Sequence, residues 1–363
     1  MFKVTVAFLG SGLLTASIIP RIITFSRRLK LFDDQDLYRK THLELVSRMG
    51  GIPIFIGYIL VVHLYSDLRS ISFHALIASL IIIFSLGLKD DLLGGAVPYE
   101  KITAQLLAII ILVIFNGQSL NLDLHSDEAT ALSKLRKFAL PVVLMLFIVN
   151  AFNFIDGING LAGVLGVLIN VFVGSYLIMW GENEFGVSAF IIAGSTAGFL
   201  IYNFSPGKVF MGDSGAMIIG LITGAMCLRF INMSHGNSEL QFSSPIMIVC
   251  SLLIVPTFDV LRIFFIRAIH GRPLLIGDRN HIHHRLCDLG MRDYQAVLIL
   301  ILFTVICLFT VILGEGLGLL TISAALFSLC TISNTVLSYL RGRCHSSSYK
   351  FSDVLFIDTL NRR

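Results

Sequence analysis

The chain has 363 residues, of which 55% are hydrophobic and 14% charged, with a formal net charge of +4 and a mean hydropathy of +0.84. Soluble globular proteins carry about a quarter charged residues, so this composition excludes a soluble domain and points to an integral membrane protein. Six cysteines (Cys227, Cys250, Cys287, Cys307, Cys330 and Cys344) show no paired spacing, which argues against a disulfide framework or a CxxC metal motif and for buried, reduced thiols.

A hydrocarbon core about 30 Å thick takes about 20 apolar residues per helix. Eleven such stretches run near 4–26, 51–66, 71–88, 103–117, 139–153, 161–180, 185–203, 215–232, 245–266, 295–313 and 317–340. The first lacks a small-residue cleavage site and ends in Arg27, Arg28 and Lys30, so it is predicted to be a retained span and not a signal peptide. The glycine-rich runs "GLAGVLGVL" and "GAMIIGLITGAM" predict close helix–helix contact. An odd number of spans puts the termini on opposite sides. Nineteen Lys and Arg fall in the loops of one side and six in those of the other, with Arg21 and Arg262 inside spans. The positive-inside rule makes the first side cytoplasmic, with the N-terminus outside and the tail 341–363 cytoplasmic. The expected architecture is all-α: one polytopic helical bundle of about eleven spans over residues 1–363.

The polar motifs "LKDDLLGG", "NAFNFIDGINGLAG", "VFMGDSGA" and "DRNHIHHRL" all fall on the cytoplasmic side, which predicts one composite site at that face. Asp90 and Asp91 are adjacent carboxylates that repel unless a cation sits nearby; Mg²⁺ takes such oxygen ligands and bridges to phosphates. The plainer alternative is a solvated acidic loop among the headgroups. Asn150, Asn153 and Asp156 share one helical face if the helix continues, either as site groups or as hydrogen-bonding glue between helices. Gly157 and Gly160 then allow a tight turn. Asp213 sits where a helix starts, either as a plain N-cap or as a metal ligand beside amides that could receive a phosphoryl group.

In "RNHIHHRL", His281, His283 and His284 have spacing compatible with zinc. The flanking Arg279 and Arg285 disfavour a dication and suit bidentate contact with phosphate. A solvated basic loop is the third reading. These residues point to phosphoryl chemistry, in which positioning and charge neutralisation dominate. A secondary transporter and a zinc-dependent membrane hydrolase are the rivals.

"DDLLGG", "NAFNFIDGINGLAG", "VFMGDSG" and "HIHHRL", preceded by "RKTHLELVSRMGGIP", resemble the polyprenyl-phosphate N-acetylhexosamine-1-phosphate transferase family (glycosyltransferase family 4), in the same order from about Leu31 to His284. The resemblance implies transfer of a sugar 1-phosphate from a UDP-N-acetylhexosamine to undecaprenyl phosphate at the bacterial cytoplasmic membrane. It implies Mg²⁺, with Mn²⁺ as a substitute, and release of UMP. The histidine motif is similar to the branch that makes undecaprenyl-diphospho-N-acetylglucosamine, which starts O-antigen, common antigen or teichoic acid. The peptidoglycan branch, acting on phospho-N-acetylmuramoyl-pentapeptide, is the alternative. By position, Asp90 would deprotonate or orient the lipid phosphate, while Asp91 and Asp213 would face the metal. Asp156 and Asn153, with Asn150 beside them, would support nucleotide or metal, and Lys101 and Lys40 would hold the lipid phosphate. His281, His283, His284 and Arg285 would bind the donor's diphosphate and sugar, and Phe210 would stack on uracil. Asn159 and Gly94 stand where some relatives carry acidic residues. The expected partners are the two substrates and the bilayer, with no nucleic acid; a homodimer is expected by resemblance alone.

Overall fold

A computed structural model describes residues 2–29, 46–65, 70–94, 97–116, 131–204, 207–234, 242–271 and 280–344. Among them the regular structure is helical, apart from one isolated parallel bridge between Ser47 and Val209. This follows from the solvent: inside lipid every backbone N–H and C=O needs an internal partner, and a helix supplies one for each. The chain groups into two compact units, Met1–Leu240 and Gln241–Arg363.

The first unit contains α1 (Phe2–Leu29), α2 (Gly51–Tyr65), α3 (Ile71–Leu93), α4 (Pro98–Asn116), α5 (Ala131–Ile155), α6 (Leu161–Met179), α7 (Asn183–Asn203) and α8 (Gly212–Ser234). The centre belongs to α8: 94% of its most apolar window is buried, against 22% for α1. Small residues along "GAMIIGLITGAM" let α2, α3, α5, α6 and α7 pack onto it. On the outside, α1 lies against α7 and α2, where the Ser11 hydroxyl donates to Ile191 O at 2.9 Å and that of Thr15 to Pro53 O at 3.2 Å. The Tyr58 and Ser188 hydroxyls are 2.7 Å apart in the interior.

The second unit contains α9 (Pro245–Leu252), α10 (Ile254–Ile269), α11 (Ile282–Asp288), α12 (Asp293–Leu313) and α13 (Leu319–Cys344). The single span expected over 245–266 is broken into α9 and α10, bent by 75°. Pro256 supplies the reason: without an N–H it cannot bond Leu252 O, and its ring crowds that carbonyl, so a continuous helix stops there. The other expected spans find helices, with nine long and apolar enough to cross a membrane among the described residues, or ten with the bent pair. The exception is α2, whose 15 residues run about 22 Å at 1.5 Å each, short of a core about 30 Å thick.

Candidate functional site

The motif at the end of α3 reaches the start of α8 because a residue without a side chain stands at their crossing. A Cβ on Gly87 would lie 2.3 Å from Ser214 Cα. Gly212 turns the chain into α8 with φ +72°, and a Cβ there would fall 2.2 Å from Arg48 O and 2.6 Å from Asp91 Oδ1, so both backbone angle and space call for glycine. At this junction Asp91 closes the N-terminus of α8. Its carboxylate accepts the amides of Asp213 at 2.8 Å and Ser214 at 3.1 Å, and the Ser214 hydroxyl. The first amides of a helix have no partner within it, and a carboxylate satisfies both the hydrogen bonds and the helix dipole. Asp91 was expected on a metal and the amides near Gly212 were expected to be open to a phosphoryl group; in the structure two of those amides are bound to Asp91.

The neighbouring carboxylates converge on one ammonium group. Lys101, in the first turn of α4, places Nζ 2.8 Å from Asp90 Oδ2 and 2.6 Å from Asp213 Oδ2. Asn153 Nδ2 donates to the same Asp213 oxygen at 3.4 Å. One turn earlier on α5, Asn150 is committed elsewhere: its Nδ2 donates to Gln105 Oε1 and to Leu146 O, both at 2.8 Å, while Gln105 Nε2 returns a bond to Asn150 Oδ1 at 3.3 Å. That is the glue reading of Asn150. Asp156 does not share the helical face of Asn150 and Asn153, because α5 ends at Ile155. It occupies the following turn, half-buried, and among the described residues no hydrogen-bond donor reaches its carboxylate. Burial first, then the Asp213 and Asp91 carboxylates, push its pKa up to about 8, opposed by Arg48.

Backbone and amide contacts around these motifs build the frame. The Phe210 amide donates to Ser47 O at 2.8 Å and its carbonyl accepts from the Gly50 amide at 3.0 Å, so the approach to Gly212 is clamped by the 46–50 segment. Phe210 itself is half-buried. Asn203 Oδ1 accepts the Gly160 amide at 2.7 Å while its Nδ2 donates to Val209 O at 2.9 Å. Buried Asn203 and Gln105 could have been flagged as amides in apolar helices, which must find partners; Ser47 and Arg48 lie in the stretch "RKTHLELVSRMGGIP", but nothing within it marks these two positions. Lys40 lies outside the described residues.

Asp90, Asp91, Asp156 and Asp213 thus set four carboxylates against the charges of Lys101 and Arg48. Oxygen donors in charge excess fit a hard divalent cation. Among the described residues no three His, Cys, Asp or Glu side chains are set to hold a metal ion, but Mg²⁺ commonly takes only one or two protein carboxylates and leaves the rest of its shell to water and phosphate. A pH dependence follows. A carboxyl raised to about 8 favours the protonated, metal-free fold, a contribution present below the unfolded pKa and lost as pH rises towards 8. The unfolding temperature without metal should therefore fall between pH 6 and 9, and the stabilisation by Mg²⁺ should grow over the same interval. Asp156→Asn should make both trends shallower in a thermal-shift series, without abolishing them, because the neighbouring carboxylates remain; unchanged slopes would contradict the raised carboxyl.

In the second unit the histidine stretch forms α11. His281 is its N-cap and sits against Asp259 of α10, with Nδ1 2.8 Å from Oδ2. The ring of His283 stacks on that of His281 with centroids 5.5 Å apart, and lies 4.3 Å from that of His284. His281 and His283 are buried and His284 half-buried. Arg285 was expected to meet phosphate. Instead it is 4% exposed and gives Nη1 to Asn334 Oδ1 at 2.7 Å and Nη2 to Ser338 Oγ, both on α13. Burial, with Arg262 and Arg341 nearby, holds its guanidinium below the usual arginine range, against Asp259 and Asp288. Arg285→Ala would take the donor from Asn334 Oδ1, while the Ser338 hydroxyl keeps its bond to Asn334 O at 2.8 Å; the loss, roughly 1–3 kcal/mol, should lower the unfolding temperature. A wild-type melting curve together with weakened phosphate binding would restore the ligand role.

Apolar helices long enough to cross a bilayer, with a lysine-bridged carboxylate cluster where four of them end, define a multi-pass membrane protein with a charged site at its helix termini. The chain belongs to glycosyl transferase family 4: a model of that family matches residues 73–231. It is 32% identical over 294 residues to decaprenyl-phosphate N-acetylglucosaminephosphotransferase of Mycolicibacterium smegmatis, covering 75% of this chain and 72% of that protein. A probable undecaprenyl-phosphate N-acetylglucosaminyl 1-phosphate transferase of Bacillus subtilis is 30% identical over 308 residues, 83% of this chain and 82% of the relative. A phospho-N-acetylmuramoyl-pentapeptide-transferase of Clostridium botulinum is 27% identical over 290 residues, 76% and 84% of the two chains.

Proposed function

We propose that this protein transfers N-acetylglucosamine 1-phosphate from UDP-N-acetylglucosamine to undecaprenyl phosphate, at the cytoplasmic face of a bacterial inner membrane, as the first step of a cell-surface polysaccharide. The observation that carries the reading is Lys101 held between Asp90 and Asp213, in a chain whose relatives at 30–32% identity are named as decaprenyl-phosphate and undecaprenyl-phosphate transferases of N-acetylglucosamine phosphate. A phosphate entering the cluster meets the ammonium group that Asp90 and Asp213 hold in place. Asp90 orients the lipid phosphate and takes its proton if it arrives protonated. An oxygen of that phosphate attacks the donor's β-phosphorus, the bond from that phosphorus to the UMP oxygen breaks, and UMP leaves. Asp213, with Asp156, would hold Mg²⁺, which would supply neutralisation of the diphosphate charge. Asp91 keeps the Asp213 end of α8 in register, and Asn153 orients the Asp213 carboxylate. In the second unit, taken by itself, His281, His283 and His284 offer imidazole donors suited to a diphosphate-linked sugar, and that donor-binding role is part of the proposal.

Labelling distinguishes this from transfer of the sugar alone. With UDP-N-acetylglucosamine labelled at the β-phosphorus, the label should pass into the lipid product while unlabelled UMP is released. Label retained in soluble UDP would overturn the reading.

A further inference from the structure

Asp259 belongs to no motif and lies in an apolar helix, 22 residues before His281. In the structure it is 1% exposed and makes three polar contacts, one of them to an arginine that is itself braced. Oδ2 meets His281 Nδ1 at 2.8 Å; Oδ1 accepts the Ile282 amide at 3.0 Å and Arg262 Nη2 at 2.8 Å; and the same Arg262 nitrogen reaches Asn280 O. A carboxylate bonded to a guanidinium and an amide is an acceptor, so the imidazole supplies the proton at Nδ1. That fixes both the ring's orientation and its tautomer, and a ligand is met by Nε2. Burial of a charged aspartate in an apolar helix is costly without such partners. A plain N-cap for α11 would need only the Ile282 amide. The additional bond to the first histidine and the arginine brace behind it arrange one side chain in particular.

We infer that Asp259 is the positioning residue of His281, setting the orientation and protonation pattern with which that imidazole meets the UDP-sugar, with Arg262 holding Asp259 in turn. This rests on the donor role proposed above for the histidine stretch. Carboxylates behind a functional histidine act in this way at other sites, where an isosteric amide leaves the geometry but reverses the tautomer, and partners of this kind are worth roughly ten- to a hundredfold.

The test is a double-mutant cycle on the full-length protein in detergent or proteoliposomes, with initial rates of UMP release at varied UDP-N-acetylglucosamine and varied undecaprenyl phosphate. Asp259→Asn should raise the donor KM by roughly ten- to a hundredfold and leave the lipid KM unchanged, and His281→Gln should do the same. The double variant should be no worse than His281→Gln alone, because the aspartate then has nothing left to position. Losses that multiply in the double variant, or a fall in unfolding temperature with both KM values unchanged, would overturn the inference and leave the proposed function standing. If Asp259→Asn does not fold, Arg262→Lys takes its place in the cycle, with a smaller rise in donor KM and the same two outcomes. Wild-type protein that releases no UMP would overturn both the function and the inference.

Discussion

Asp213→Asn abolishes UMP release while leaving the protein folded. The substitution keeps the side chain's volume and one carbonyl oxygen, so the contact from Asn153 at 3.4 Å survives and the cap that Asp91 provides through the 213 and 214 amides is untouched. What disappears is the negative charge that holds Lys101 at 2.6 Å and that would face a divalent cation. In a site that works by charge neutralisation, losing such a group costs about 10³-fold in turnover or more, equivalent to about 4 kcal/mol of transition-state stabilisation. Turnover near wild type, with the unfolding temperature unchanged, would remove Asp213 from the metal site.

Lys101→Met is the second large effect and separates two roles of that lysine. Its ammonium group is shared by Asp90 and Asp213. Without it the two carboxylates face each other uncompensated, so one gains a proton or a metal ion replaces the lost charge. If Mg²⁺ binds at Asp213, as proposed above, the lysine and the metal compete for that carboxylate. Lys101→Met is expected to lower turnover about 10²-fold, as loss of an electrostatic anchor does, and at the same time to lower the Mg²⁺ concentration needed for half-maximal activity. A Mg²⁺ dependence identical to wild type would show that the lysine and the metal do not share a carboxylate.

Much of the first unit could be read from the chain because its signals are local. Runs of apolar residues marked the helices, and Asp90 and Asp213 stood out as charges at the ends of such runs. The parts that escaped depend on contacts between distant positions. Asp91 and the α8 amides lie 122 and 123 residues apart, and nothing in "DDLLGG" distinguishes the residue that caps a helix from the residue that binds a lysine. Asn150 could serve a ligand or another helix, and only the placement of Gln105 opposite it, 45 residues away, decides. Pro256 was visible and its consequence, the break between α9 and α10, follows from its missing N–H; hydropathy averaged over a window hides it. Arg285 illustrates the converse error. Its neighbours in sequence are basic and suggest an anion, but its partners in space are Asn334 and Ser338, amide and hydroxyl groups from a span with no motif at all.

In the proposed reaction the charged cluster transfers a sugar 1-phosphate between a nucleotide and a polyprenyl phosphate. This transfer is tested most directly by incubating the purified protein with undecaprenyl phosphate and a panel of UDP-N-acetylhexosamines, with and without Mg²⁺, and measuring UMP. UMP release should require lipid, donor and Mg²⁺ together, be fastest with UDP-N-acetylglucosamine, and match the lipid-linked sugar mole for mole. No UMP from any donor in the panel, including UDP-N-acetylmuramoyl-pentapeptide, would contradict it.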